Sequence, residues 1–133
     1  MKKFLLLIAI TIGIAQLSQA QTIYKVSQSS ISHYNYSTQS WIEDNRYYPD
    51  NMSLIMNGMD ITVDAKNPVY LRLKTNKATT YHNGDPVLNY EGMMDGVIVS
   101  VKFYMDSEGA FTDMCIFKNT RAGGYICLDY RIN

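Results

Sequence analysis

Cysteine, proline, histidine and tryptophan are all scarce in this chain, at two, three, two and one in 133 residues. Two of these shortages exclude chemistry directly. Two sulfurs without a nearby histidine or further cysteine do not complete a tetrahedral metal site, and their spacing is not the C-x-x-C of a redox helix. His33 and His82 stand in separate segments, beside polar and tyrosine neighbours rather than carboxylates. Neither is placed as a ligand or a base, so no metal and no cofactor is expected.

A dominant charge is lacking as well. Basic and acidic residues number 12 each, and once Lys2 and Lys3 are set aside 10 face 12, about −2 overall. Such a balance gives no electrostatic reason to expect nucleic acid or an anionic membrane as partner. Catalytic motifs are missing too: there is no G-x-S-x-G, no H-E-x-x-H and no phosphate-cradling glycine loop. Asp106, Glu108 and Asp113 in "DSEGAFTD" miss the calcium-loop spacing and read as a solvated turn. The N-x-S triplets at Asn35 and Asn51 read as chance matches. The chain is therefore not expected to be an enzyme.

Long apolar runs are confined to the first twenty residues, "MKKFLLLIAITIGIAQLSQA". Two lysines, an apolar core from Phe4 to about Ile14, and Ser18 and Ala20 before Gln21 make a secretory signal peptide. The run falls short of the roughly 20 residues a spanning helix needs, and no cysteine stands at the cleavage point to make a lipoprotein. The expectation is a 1–20 signal peptide and one domain over 21–133, exported to the periplasm or beyond the cell, with no membrane span after cleavage. That domain is large enough for one core and too small for two. An outer-membrane barrel is disfavoured, because the strands of Met52–Thr75 are about six residues long where about 9 to 11 are needed.

What the chain does have is tyrosine, β-branched residues and period-two alternation. "MSLIMNGMDITV" predicts a hairpin on Asn57-Gly58 with a type I′ turn, Met56 opposite Met59, and Met52, Leu54, Ile61 and Val63 sharing the apolar face. "VYLRLKT" adds Val69, Leu71 and Leu73 to that face after a turn at Asn67-Pro68. A second meander runs through "GVIVSVKFYM", a four-residue turn "DSEG", "AFTDMCIFK" and "YICLDYRI". Pairing Met105 with Ala110 and Ile116 with Ile126 sets Val101 opposite Met114 and Met114 opposite Leu128, one continuous apolar surface.

The same register places Cys115 directly opposite Cys127 on the reverse surface. Opposed residues lie within disulfide reach, and an exported protein meets an oxidising compartment, so a cross-strand disulfide worth roughly 3 kcal/mol is expected; the alternative is two thiols that never pair. That reverse surface also carries Ile98, Phe117 and Tyr125 in one row and Tyr104, Phe111 and Arg131 in another, with Lys102, Asp113 and Asp129 between. Aromatic groups beside an arginine make a candidate interaction face, the plain alternative being that the N-terminal strands cover it. Asp113 opposite Asp129 would be repulsive unless Lys102 or a cation offsets it.

Upstream, "TIYKVS" (22–27) reads as a strand, and "ISHYNYS" (31–37) with "WIEDN" (41–45) as a hairpin around Thr38-Gln39, against a competing helical turn from the S-x-x-E of Ser40 to Glu43. Residues 76–96, rich in Asn, Gly and Asp, read as a long binding loop with one short strand at Val87–Tyr90. The sum is an all-β antiparallel meander of about seven or eight short strands, a small barrel or sandwich. The expected role is a non-catalytic extracytoplasmic binding module for an unidentified protein or small ligand. Two alternatives are a lipocalin-like carrier of an apolar ligand and, less favoured, a hydrolase using Asp113 and Asp129.

Overall fold

A computed structural model describes residues 21–132; the expected signal peptide, 1–20, lies outside the described residues. Ten strands occur among them: β1 (Thr22–Asn35), β2 (Ser40–Tyr47), β3 (Ser53–Asn57), β4 (Asp60–Asp64), β5 (Val69–Asn76), β6 (Thr80–His82), β7 (Asp85–Met94), β8 (Val97–Met105), β9 (Phe111–Asn119) and β10 (Tyr125–Ile132). All pairings are antiparallel. The order β1-β3-β4-β5-β7-β8-β9-β10 returns to β1, so eight strands close a barrel; β2 and β6 pair outside that ring. No helix among the described residues is long and apolar enough to cross a membrane.

The alternation read from the sequence sets the wall's polarity. Leu54, Ile61, Val63, Leu71, Leu73, Val99, Val101, Phe103, Met114 and Ile116 all point inward and are buried. Phe103 is 1% exposed and meets Tyr90 and Phe111 at ring distances of 5.7 and 5.4 Å. Burial of a side chain of this size contributes roughly 1.5–3 kcal/mol, and side chains fill the interior as in other narrow barrels. Outward lie Asp60, Thr62, Arg72 and Lys74, with Arg72 Nε 3.2 Å from Asp60. Apolar-in and polar-out is the reverse of a transmembrane barrel wall.

The turns differ from expectation in a consistent way. At the first hairpin Asn57 pairs with Asp60 and Met56 with Ile61, so the loop is Gly58-Met59, not Asn57-Gly58. Of these two only Gly58 has positive φ, at 61°, the type II′ pattern. Met59 leaves the core for the turn and is exposed. The expected four-residue turn "DSEG" is a three-residue loop, Ser107–Gly109: Asp106 N donates to Ala110 O (2.9 Å), and Gly109, at φ 81°, donates to Asp106 O. Thr112 then bulges out between the Tyr104–Asp113 and Met105–Phe111 pairs. The β9–β10 loop repeats the device, with Thr120 N donating to Gly124 O and Gly123 at φ 83°.

Each meander is therefore offset by two residues from the expected register: Phe103 faces Met114, Val101 faces Ile116, and Leu128 faces Ile116. An even offset by itself keeps side chains on their surfaces and changes only their partners; Met59, in the turn, and Phe111, beyond the Thr112 bulge, are the exceptions.

The 76–96 segment is corrected more strongly. Apart from 77–79 and two turns it is strand, the end of β5, β6 and all of β7, turning at Asn83-Gly84 (φ 52° and 85°) and at Asp95-Gly96 (φ 53° and 76°). Both are type I′ pairs whose Asn-Gly and Asp-Gly sequences announce them. The N-terminal runs fuse into one long strand, and the Ser40 capping-box alternative gives way to β2. A bulge at Ser27, between the Val26–Ile132 and Gln28–Arg131 pairs, lets β1 pair first with β3 and then with β2 along the same edge.

Candidate ligand-binding surface

The Ser27 bulge positions the site. Before it, Tyr24 and Val26 face the core; after it the alternation is shifted, so Ser30, Ser32 and Tyr34 stand on the outer surface. Tyr34 pairs across β1–β2 with Trp41. Asn35 Oδ1 accepts from the backbone N–H groups of Ser37 and Thr38 (2.9 and 3.1 Å), which holds the loop carrying Tyr36. On the neighbouring hairpin Tyr125 pairs with Asn119, and Phe117 lies one step along β9 on the same surface.

The rings converge although their strands are up to three positions apart. Trp41 lies 5.4 Å from Tyr34, 5.4 Å from Tyr125 and 5.7 Å from Phe117, and Tyr34 lies 5.1 Å from Tyr36, measured between ring centroids. Interplanar angles of 81°, 67° and 61° for Tyr34–Tyr36, Tyr34–Trp41 and Trp41–Phe117 are edge-to-face, the arrangement the ring quadrupole favours. Tyr34, Tyr36, Trp41, Tyr125 and Asn119 line an open cavity of about 530 Å³. Trp41 is 40% exposed and Tyr36 63%, so this cluster is not packed away under other strands.

Charges on the same hairpin pair with one another: His33 Nδ1 is 2.7 Å from Asp44, and Arg46 Nε donates to Glu43 at 2.8 Å. Lys102 Nζ sits 5.7 Å from the Phe117 ring centroid, a cation–π contact on the inner flank. Burial raises the Tyr125 hydroxyl above its ordinary pKa, with lesser contributions from Cys127 and Tyr36.

A second cavity, about 460 Å³, opens farther along the same outer wall, with His82, Asp85, Tyr104, Asp113, Cys115 and Asp129 in its lining. Asp113 pairs with Arg131 (Oδ2–Nε 3.5 Å), and Asp129 faces Cys115 across the hairpin, so the expected Asp113–Asp129 opposition becomes a diagonal contact. Burial first, then the hydrogen bond and charge of Asp113, push the Asp129 carboxyl up to about 7. Asp129 Oδ1 is buried without a hydrogen-bond partner. Tyr104 is pushed up to about 12 by burial first and then by Cys115, Cys127, Asp129 and Asp113, and its ring meets His82 at 5.9 Å. No group of three or more His, Cys, Asp or Glu able to hold a metal occurs among the described residues.

The disulfide is corrected. Cys115 and Cys127 share the outer surface, yet Cys115 faces Asp129 and Cys127 faces Phe117. Both are free thiols, separated by 4.3 Å. Diagonal neighbours on a hairpin have Cα atoms about 7–8 Å apart, beyond the usual disulfide span of roughly 4.4–6.8 Å. The Cys115 thiol is raised well above its ordinary pKa, chiefly by its hydrogen bond to Cys127 and by burial, which disfavours the reactive thiolate.

Of the expected interaction face, the structure brings Phe117 and Tyr125 together at the aromatic cavity and Tyr104 and Arg131 at the acidic end. Ile98 stays exposed, paired with Met93. Phe111 is corrected: the Thr112 bulge turns it inward against Tyr24 and Phe103. Trp41, Tyr34, Tyr36 and Asn119 were not anticipated there; the tyrosines at period two beside the sole tryptophan were the available signal.

The fold and this surface together define an eight-stranded antiparallel barrel with a filled interior and an aromatic cavity on its outside. No family model matches the chain, and no curated protein and no solved structure was found to match it.

Proposed function

We propose that this chain is a non-catalytic binding module that acts outside the cytoplasm, its export directed by residues 1–20, and that it engages its ligand through the aromatic cavity on the β1–β2 and β9–β10 hairpins. The observation carrying this reading is the convergence of half-buried Tyr34, Phe117 and Tyr125 with exposed Tyr36 and Trp41. Large rings left partly wet and facing a shared hollow are the composition of a recognition site, because apolar faces gain by being covered while hydroxyl rims stay hydrated. A ligand carried inside the barrel is disfavoured by the side chains that fill it.

A hydrolase remains the second reading, favoured by one observation: two neighbouring carboxyls, Asp129 raised by burial and by Asp113, and Asp113 itself within 3.5 Å of Arg131. Against it stands the burial of one Asp129 oxygen.

A fragment screen followed by amide chemical-shift mapping separates these readings. The expected result is that hits cluster on Tyr34, Tyr36, Trp41 and Tyr125 and change the emission of Trp41, the sole tryptophan. Clustering on Asp113 and Asp129, or on the barrel core, overturns the proposal in favour of the hydrolase or the carrier.

A further inference from the structure

Resting on that reading, the geometry points to the chemical class of the ligand: an uncharged saccharide, bound with its ring faces against the Trp41–Tyr34–Tyr36–Tyr125 cluster and its hydroxyls on Asn119 and the tyrosine rims.

Three properties of the cavity support this class over others. Its lining holds no ionised group: four aromatic residues and one carboxamide. Ring faces attract a quaternary ammonium ion by themselves, but the lining offers no carboxylate to an ordinary amine cation. Lys102 beside Phe117 adds a repelling charge on the inner flank. An anionic ligand would need a cation in the lining, and none is there.

The second property is amphipathy at the scale of a single ring. Tyrosine presents an apolar face and a hydroxyl rim, and Asn119 supplies both a donor and an acceptor. A pyranose is built the same way, with C–H groups on its faces and hydroxyls around its edge. A purely aliphatic ligand would leave the Asn119 amide and the tyrosine hydroxyls facing hydrocarbon, at the cost of unsatisfied polar groups.

The third is size. About 530 Å³, open to solvent, is within the range of small-molecule sites and accommodates a short oligosaccharide, whereas a stable protein partner buries about 800 Å² on each side. The open end permits a longer chain to continue past the site.

The experiment uses the folded chain from Gln21 onward and three classes of probe: the tetrasaccharides cellotetraose and chitotetraose, tetramethylammonium, and a tyrosine-rich peptide. Trp41 emission and saturation-transfer NMR on the probe protons are the readouts. The expected result is a Trp41 change with either tetrasaccharide, transfer strongest at ring-face C–H protons, and no loss of binding at high salt, since no charge is neutralised. Tyr36→Ala and Trp41→Ala each weaken binding about tenfold or more, and Tyr36→Phe, which keeps the ring, weakens it less. Because Tyr36 is exposed, Tyr36→Ala keeps the test valid should Trp41→Ala disturb the hairpin. A response to tetramethylammonium or the peptide with none to the sugars overturns the saccharide assignment and leaves the binding module standing. If no probe reaches Trp41, both fall.

Discussion

The carboxyl of Asp129 gives the clearest prediction from a single residue. It lies against Asp113, Arg131 and Cys115, with Tyr104 and His82 across the same cavity. Burial, then Asp113, raise its pKa from 3.8 to about 7, so between those values the folded chain keeps a proton that the unfolded chain has lost. The unfolded state then binds fewer protons, and stability falls as pH rises from about 4 to about 7. Asp129→Asn mimics the protonated acid at every pH. The variant is expected to unfold at higher urea than wild type at pH 7 and to lose that advantage near pH 4. Equal midpoints at both values would mean that Asp129 is ionised and well solvated in the folded chain.

At the scale of elements, β5 and β7 come too close for a side chain at Gly92: a Cβ there would sit 2.9 Å from the Arg72 carbonyl oxygen and 3.1 Å from Leu71 Cδ1, beside the irregularity of β5 between Leu73 and Thr75. Backbone cannot yield as a flexible side chain does, so Gly92→Ala is expected to cost about 1–3 kcal/mol by urea unfolding. A change under about 0.5 kcal/mol would be that of an ordinary surface substitution and would rule out the close approach.

Elements also show what was legible in the sequence. Which surface the residues of β3–β5 and β8–β10 occupy could be read for all but Phe111, because surface depends on odd or even position and the aliphatics of Leu54, Ile61, Val101, Met114 and Ile116 repeat with that period. Which residue lies opposite which could not, because partners depend on the loop. Gly58-Met59, Ser107–Gly109 and Arg121–Gly123 each set a pairing that alternation alone leaves open. That is how the cysteines came to share a surface and yet not a rung. The bulges at Ser27 and Thr112 carry no such periodic mark. The first puts Tyr34 and Tyr36 outside and the second takes Phe111 inside, so the candidate site was only half legible, through Phe117 and Tyr125.

At the scale of the whole molecule, the ring closes between its first and last strands, and Val26 meets Ile132 across most of the described chain. Loop-closure entropy makes such a pairing late and slow, with little reward until the intervening strands are in place. Once formed, it pairs the facing edges of β1 and β10, and Tyr130 joins the core while Leu128 and Ile132 pack against it. A chain ending at Gly124 loses these contacts and leaves β1 and β9 as open, partly apolar edges. It is expected to show no cooperative urea transition and to associate, whereas Trp41→Ala, on the strand outside the ring, keeps a cooperative transition and loses no more than roughly 2 kcal/mol. Should the shortened chain still unfold cooperatively, the remaining strands would be a sufficient sheet without closure, and the barrel would owe its stability to local hairpins and not to the meeting of its ends.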